Sequence, residues 1–279
     1  NGNAAIDNFQ YQTTFAFDES NGYYFDSGKK VQTVGGYADI LANPDVKWET
    51  SEQINLGFDS RFLNSRLGLT FDWYVKTTKD WLVRAPISGV WGLNPPFVNG
   101  GDIENRGFEV ALNWNDKAGD FNYGATVNFT HNKNEVTRIA NAEGIIHGDA
   151  NVLSQGTTEM YRAQVGYPIG YFYGYKTAGV FQNWSQVEGT AAKYAGAQPG
   201  DLIFVDSNND GKITEDDRTM IGNPNPDFSM GLNLNFSYKG FDLNVAGAGS
   251  FGKQIAKSYR SFADSPLQNY TTDIFGRWT

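Results

Sequence analysis

The sequence predicts an all-β fold, an antiparallel transmembrane β-barrel, on three observations. Aromatic residues make up 15% of the 279 positions and glycine supplies 32, whereas Asp, Glu, Lys and Arg together reach 19%, a mixture that favours strands and turns over helices. Apolar and polar side chains alternate with a period of two through three separate hairpins. The turns inside those hairpins are short and the connections between them long, as in barrels with short periplasmic turns and long external loops.

The first hairpin spans residues 53–76, QINLGFDSRFLNSRLGLTFDWYVK. Ile54, Leu56 and Phe58 share one face, and beyond a turn at Asn64 and Ser65 so do Leu67, Leu69, Phe71, Trp73 and Val75. Asn55, Gly57, Asp59, Gly68, Thr70, Asp72 and Tyr74 take the other face. In the second, FEVALNWNDKAGDFNYGATVNFTH over 108–131, Phe108, Val110, Leu112 and Trp114 turn through Asp116 to Asp120 into Phe121, Tyr123, Ala125, Val127 and Phe129. Glu109, Asn113, Asn122, Thr126 and Asn128 point the opposite way. The third, MGLNLNFSYKGFDLNVAGAGSF over 230–251, sets Met230, Leu232, Leu234, Phe236 and Tyr238 against Asn233, Asn235 and Ser237, and continues past Lys239 and Gly240 with Phe241, Leu243 and Val245.

Alternation of this kind also suits a soluble β-sandwich, whose strands meet a core on one face and water on the other. Two features favour the bilayer. The strands read as about ten residues, longer than the ~5–6 of globular sheets and matched to a tilted crossing. The connections, roughly 76–107 and 132–228, are long. Aromatics beside the tight turns, Phe58 and Phe62, Trp114 and Phe121, Tyr238 and Phe241, would then form a girdle at headgroup level.

A net charge of −9 with no run of three Lys or Arg leaves no basic patch for a phosphate backbone, so nucleic acid is excluded as a partner. The absence of cysteine removes disulfides, thiolate zinc sites and cysteine nucleophiles. No apolar run approaches the ~18 residues of a spanning helix, which excludes helical membrane proteins only. The chain opens on Asn1 without a secretory signal and reads as mature or a fragment.

Four separated segments, NPDVKWETSEQINLGFD (43–59), GDIENRGFEV (101–110), PIGYFYGY (168–175) and GDLIFVDSNNDGKITEDDRTMIGNPNPDFSMGLN (200–233), resemble in order signature segments of SusC/RagA-type TonB-linked outer-membrane transporters of Bacteroidetes. The resemblance covers about 40–279. It implies a multi-pass β-barrel of roughly 22 strands whose lumen holds an N-terminal plug. It also implies a TonB-contacting segment and further strands that this chain does not show. About eight strands are countable, too few to enclose such a lumen, so residues 1–279 read as a partial barrel domain. By resemblance the intact protein imports large nutrients, oligosaccharides and in some members peptides, with a SusD-like surface lipoprotein as lid and the TonB system as energy source. A lumen face of Asn, Thr, Gly and Ser is compatible with that expectation.

Within 200–222, the stretch DSNNDGKITEDD over 206–217 has the spacing of a calcium loop. Asp206, Asn208 and Asp210 take places one, three and five, Gly211 the sharp turn, Lys212 a backbone carbonyl, Thr214 place nine and Asp217 place twelve. Oxygen donors of these types suit Ca2+, although Asp217 is shorter than the usual Glu. The competing reading is an acidic turn whose Asn and Asp side chains cap their own backbone.

GAGSFG over 247–252 formally matches a dinucleotide motif but lies within a strand, where small residues serve close backbone approach. His131, read as ending a strand, and His147, read as a loop residue, have no companions at ligand spacing, and no nucleophile, base and acid can be nominated, so the chain is not expected to be an enzyme. Trp91, Phe97 and Trp184 fall in the long connections, where their rings would stack on sugars or anchor the loops to one another or to the lipoprotein. The rival to the transporter reading is a secreted or surface-anchored β-sandwich module that binds glycan.

Overall fold

The structure, a computed structural model, describes residues 6, 8–24, 32–84, 87–150, 152, 158–257 and 272–278; of the span read as barrel, residues 258–271 lie outside the described residues. A hairpin of β1 (Thr14–Tyr24) and β2 (Gln32–Ile40) precedes four long strands, β3 (Thr50–Phe62), β4 (Leu67–Arg84), β5 (Phe97–Ala118) and β6 (Phe121–Ile139). Shorter pieces follow: β7 (Ile145–His147), β8 (Tyr161–Gln164), β9 (Tyr171–Tyr175), β10 (Thr177–Val180), helix α1 (Trp184–Gly189), β11 (Leu202–Phe204) and β12 (Arg218–Gly222). The last hairpin is β13 (Phe228–Tyr238) and β14 (Phe241–Phe251).

The three predicted hairpins join into one antiparallel sheet of six strands in the order β14-β13-β6-β5-β4-β3. Its register places the predicted apolar residues opposite one another: Ile54 with Val75, Phe71 with Val110, Leu112 with Val127, Val127 with Leu232 and Leu234 with Val245. Among the described residues six strands rather than about eight make the wall, because the remaining strands belong to other, smaller sheets. The outer edges of β3 and β14 have no partner strand among the described residues.

The turns at one end are tight. Lys239 and Gly240, both with positive φ, form a two-residue hairpin between β13 and β14. The turn read over Asp116 to Asp120 tightens to Gly119 and Asp120, since pairing runs up to Ala118 and Phe121. Leu63, Asn64 and Ser65 all hold left-handed backbone between β3 and β4.

At the other end the predicted ten-residue strands prove too short, because β4, β5 and β6 run for 18, 22 and 19 residues. The spans 76–107 and 132–228 are therefore only partly connections. Hydrophobic alternation stops near Val75 and Phe108, where outward side chains turn charged, but the backbone ladder continues past them.

Buried apolar side chains gather beyond that point, not behind the wall. Trp81, Val136, Ile139 and Ala163 pack with Val83, Ile103, Ile146 and Ile169, fastening the sheet β12-β9-β8-β7 to the tops of the long strands. A second cluster, Phe181, Val187 and Ala197, closes around α1 and β11. Leu56, Leu112 and Leu232 stay exposed on the wall, and among the described residues no second sheet covers them, unlike the packed inner faces of a β-sandwich. Among the described residues no helix is long and apolar enough to cross a membrane, which says nothing of strands.

Candidate functional site: a barrel wall and its folded lobe

Phenylalanine rings cross the whole outward face in a zigzag confined to two neighbouring rows. Phe58, Phe71, Phe108, Phe129, Phe228 and Phe251 follow one another with centroids 5.0 to 6.2 Å apart. Phe58 thus belongs to this belt and not to the girdle predicted at the tight turns. The lower girdle consists of Phe62, Trp114, Phe121, Tyr238 and Phe241, with Phe121 stacked on Phe236 at 6.2 Å. Ten residue steps separate Phe108 from Ala118 along β5, about 33 Å of strand at ~3.3 Å per step, long enough for a tilted crossing of an apolar barrel band.

The inward face carries small and polar residues that bond across strands. Thr126 donates to Asn113 at 2.9 Å, the Tyr74 hydroxyl to Asn132 at 3.1 Å, and Asn244 to Asn235 at 2.7 Å. Asn132 and Asn134 both donate to Asn105, which explains the Asn of GDIENRGFEV. Asp72 and Glu109 face each other directly on this side. Neither has an ion-pair partner among the described residues, and like charges so placed repel.

Above the band a bulge shifts the register between Thr78 and Trp81, and Asp80 takes positive φ there. Arg138 grips the distortion, its Nη2 reaching Asp80 at 2.7 Å and its Nε reaching Asp102 at 2.8 Å, while Asp102 also accepts the Asp80 N–H. The Arg138 guanidinium holds the Asp102 carboxyl below its usual range. Sequence reading missed this triad because the partners are up to 58 residues apart.

Both histidines sit differently from expectation. His131 is well inside β6, in the upper belt, where its Nδ1–H donates to the Asp227 carbonyl at 2.6 Å. His147 ends β7, with Nδ1 2.8 Å from Glu159 and Nε2 3.0 Å from Glu143. Arg162 meets Glu159 at 2.6 Å and lays its guanidinium 3.3 Å over the Tyr173 ring. The bond to Glu159 raises the pKa of His147. Burial pushes Glu159 up, yet Arg162 and His147 outweigh it and hold the carboxyl low. Since the folded pKa of His147 is raised, its contribution is complete below the ordinary value of about 6.5 and disappears as pH rises through the folded value. Hydrogen exchange corrected for intrinsic rates should show β7 and β8 losing protection over that rise, and His147→Gln should remove the step; protection independent of pH in the wild type contradicts the clamp.

The acidic loop is knit by its own side chains. Asp206 accepts the N–H groups of Asp210 and Gly211 at 3.2 and 2.8 Å, Asn208 accepts that of Asp210 at 2.9 Å, and Asp210 that of Lys212 at 2.8 Å. Thr214 caps the 3₁₀ turn Glu215–Asp217. Asp217 is fully buried and clasps both ends of the loop, accepting from Ser207 at 2.8 Å and Thr214 at 2.7 Å. Backbone N–H groups, Thr214's first, lower its pKa, and the Asp206 carboxyl lies beside it. The donors are oxygens of the type calcium takes, but each carboxylate already serves the backbone, and among the described residues no three His, Asp or Glu side chains form a metal cluster.

The three predicted ligand-stacking aromatics separate. Trp91, on the 3₁₀ turn Gly89–Trp91, and Trp184, at the start of α1, are 62% and 60% exposed, and neither stacks on another ring among the described residues. Phe97 opens β5 beneath Arg84, whose guanidinium lies 5.1 Å from its ring. No contact joins the three.

An antiparallel wall with an apolar outer face carrying aromatic belts near both ends, a polar inner face, tight turns below and a folded lobe above defines an outer-membrane β-barrel. Residues 8–279 match the family model of the TonB dependent receptor-like β-barrel, and the chain belongs to that family. It is 35% identical over 241 residues to TonB-dependent receptor P3 of Formosa agariphila, covering 86% of this chain and 24% of that protein. TonB-dependent receptor SusC of Bacteroides thetaiotaomicron is 27% identical over 238 residues, 84% of this chain and 22% of its own. The chain thus spans about a quarter of the length of these relatives. Among solved structures, the RagAB peptide transporter superposes with a TM-score of 0.72 at 24% identity, over 98% of this chain and 28% of that one. These relatives are receptors and transporters, not enzymes.

Proposed function

We propose that the protein to which this wall belongs imports large nutrients, oligosaccharides or alternatively peptides, across the outer membrane, with a SusD-like surface lipoprotein as lid and energy from the TonB system. The observation that carries this reading is the division of one sheet into a lipid-facing apolar side and a wet inner side lined by Asn, Thr, Ser and Gly. The family supports it. In cells carrying the full-length protein, uptake of labelled oligosaccharides or labelled tryptic peptides should require both its gene and the proton gradient. Uptake that survives loss of either overturns the reading.

Trp91 and Trp184 are the side chains best placed to stack on cargo in the lobe. Each ring contact is worth about 1 kcal/mol, so Trp91→Ala or Trp184→Ala should weaken cargo binding roughly five-fold while lid assembly stays normal. Unchanged binding removes them as ligand contacts.

Calcium at Asp206, Asn208, Asp210, Lys212, Thr214 and Asp217 is proposed on the spacing and the oxygen donors. Millimolar calcium should then raise the thermal stability of the lobe, and Asp206→Ala with Asp210→Ala should abolish the response. A calcium response identical in wild type and variant assigns the effect elsewhere.

A further inference from the structure

We propose that Arg106 and Lys133 form a site on the outer wall for the phosphate of an outer-leaflet lipid headgroup. The two stand directly opposite each other on β5 and β6, on the outward face. One row below them lie Phe108 and His131, ring centroids 5.6 Å apart, the top of the upper aromatic belt. One row above lie Glu104 and Glu135, again opposite each other. Like charges therefore face across the strands, the unfavourable arrangement for a cross-strand pair. Opposite charges come within ion-pair distance only along each strand, Lys133 with Glu135 at 2.7 Å and Arg106 with Glu104 at a loose 3.8 Å, while Arg106 acts more weakly on Glu135 across the strands.

Those two contacts are the only ion pairs of Arg106 and Lys133 among the described residues, and both approach from above. Each cation keeps about half of its side chain exposed, at 51% and 53%. In a chain of net charge −9, two adjacent cations at this level run against the overall bias. Alternating charges across the strands would have added opposite-sign neighbours to those along each strand. The order found instead presents two positive charges at the border of the apolar band, where aromatic rings mark the headgroup level. The anion available there is phosphate, which a guanidinium engages in a fork and an ammonium as a point charge. The apolar belt below continues the same surface and would receive the acyl chains.

The test uses the full-length protein purified in detergent and exposed to bis-phosphorylated lipid A or to its dephosphorylated form, with retained lipid counted by native mass spectrometry. Wild type should retain the phosphorylated lipid at least about tenfold better, the effect of one charge-assisted contact. Arg106→Gln with Lys133→Gln should bring retention down to the dephosphorylated level, and inorganic phosphate should not displace the lipid. Should the double variant fail to assemble, Lys133→Gln alone should lose part of the preference and Arg106→Lys should keep most of it. Equal retention of the two lipids by wild type, an unchanged preference in the glutamine variants, or displacement by free phosphate overturns the proposal.

Discussion

Replacing Gly107 with alanine should destabilise the barrel wall far more than the same change at Gly68, although both glycines lie on the inner face of the same sheet. A Cβ on Gly107 would run into the backbone carbonyl of His131 and stand 3.0 Å from the Tyr74 hydroxyl. The carbonyl belongs to the β5–β6 ladder and cannot retreat without breaking it. Slipping by one residue would relieve the clash but would turn every apolar side chain of the strand into the lumen. At Gly68 the nearest atom to a new Cβ is the Asn113 Cβ at 3.6 Å, an ordinary contact. The expected loss is about 3 kcal/mol at Gly107 and under about 1 kcal/mol at Gly68. Urea unfolding of the reconstituted full-length protein, read by the heat-dependent mobility of the folded barrel, measures both. Equal losses contradict the close approach of β5 and β6.

Arginine at position 232 should destabilise the wall, whereas arginine at position 233 should not. Leu232 pairs with Val127 near the middle of the outward band and Asn233 pairs with Thr126 on the inner side. A charge held among lipid tails costs about 2–4 kcal/mol at mid-depth, while the same charge in an aqueous lumen keeps its hydration. Leu232→Arg is therefore expected to lower unfolding stability by about that amount and Asn233→Arg to leave it nearly unchanged. Near-zero effects at both positions would place Leu232 in water, and a larger effect at Asn233 would exchange the faces.

The wall was legible because one physical rule, a period of two under one-sided burial in hydrocarbon, governs residues from Ile54 to Val245. The same rule explains what was missed. Past Val75 and Phe108 the outward positions become Arg106, Glu104, Lys133 and Glu135, so the hydrophobic signal ends while the strands go on. The bulge at Asp80 then shifts the period itself, and its lock on Arg138 joins residues 58 apart, beyond any local pattern. His147 looked solitary because Glu159 follows twelve positions later, just ahead of β8, and Glu143, four positions earlier, comes near it only through the turn into β7. In the acidic loop the oxygen spacing was legible, but Asp217's second task of tying Ser207 to Thr214 depends on geometry that spacing does not encode. Trp91 and Trp184 were placed correctly in connections, yet no sequence pattern relates one connection to the other.

Collision rates of spin labels tell hydrocarbon from water at single positions. Labels at Leu69, Val110 and Leu234 in the membrane-embedded full-length protein are expected to collide with lipid-dissolved oxygen and to be shielded from a water-soluble nickel chelate. Labels at Thr70, Asn113 and Asn233 should not share that oxygen preference. Outward labels reached by the chelate, or shielded from both reagents as inside a protein core, would contradict an apolar face that meets lipid.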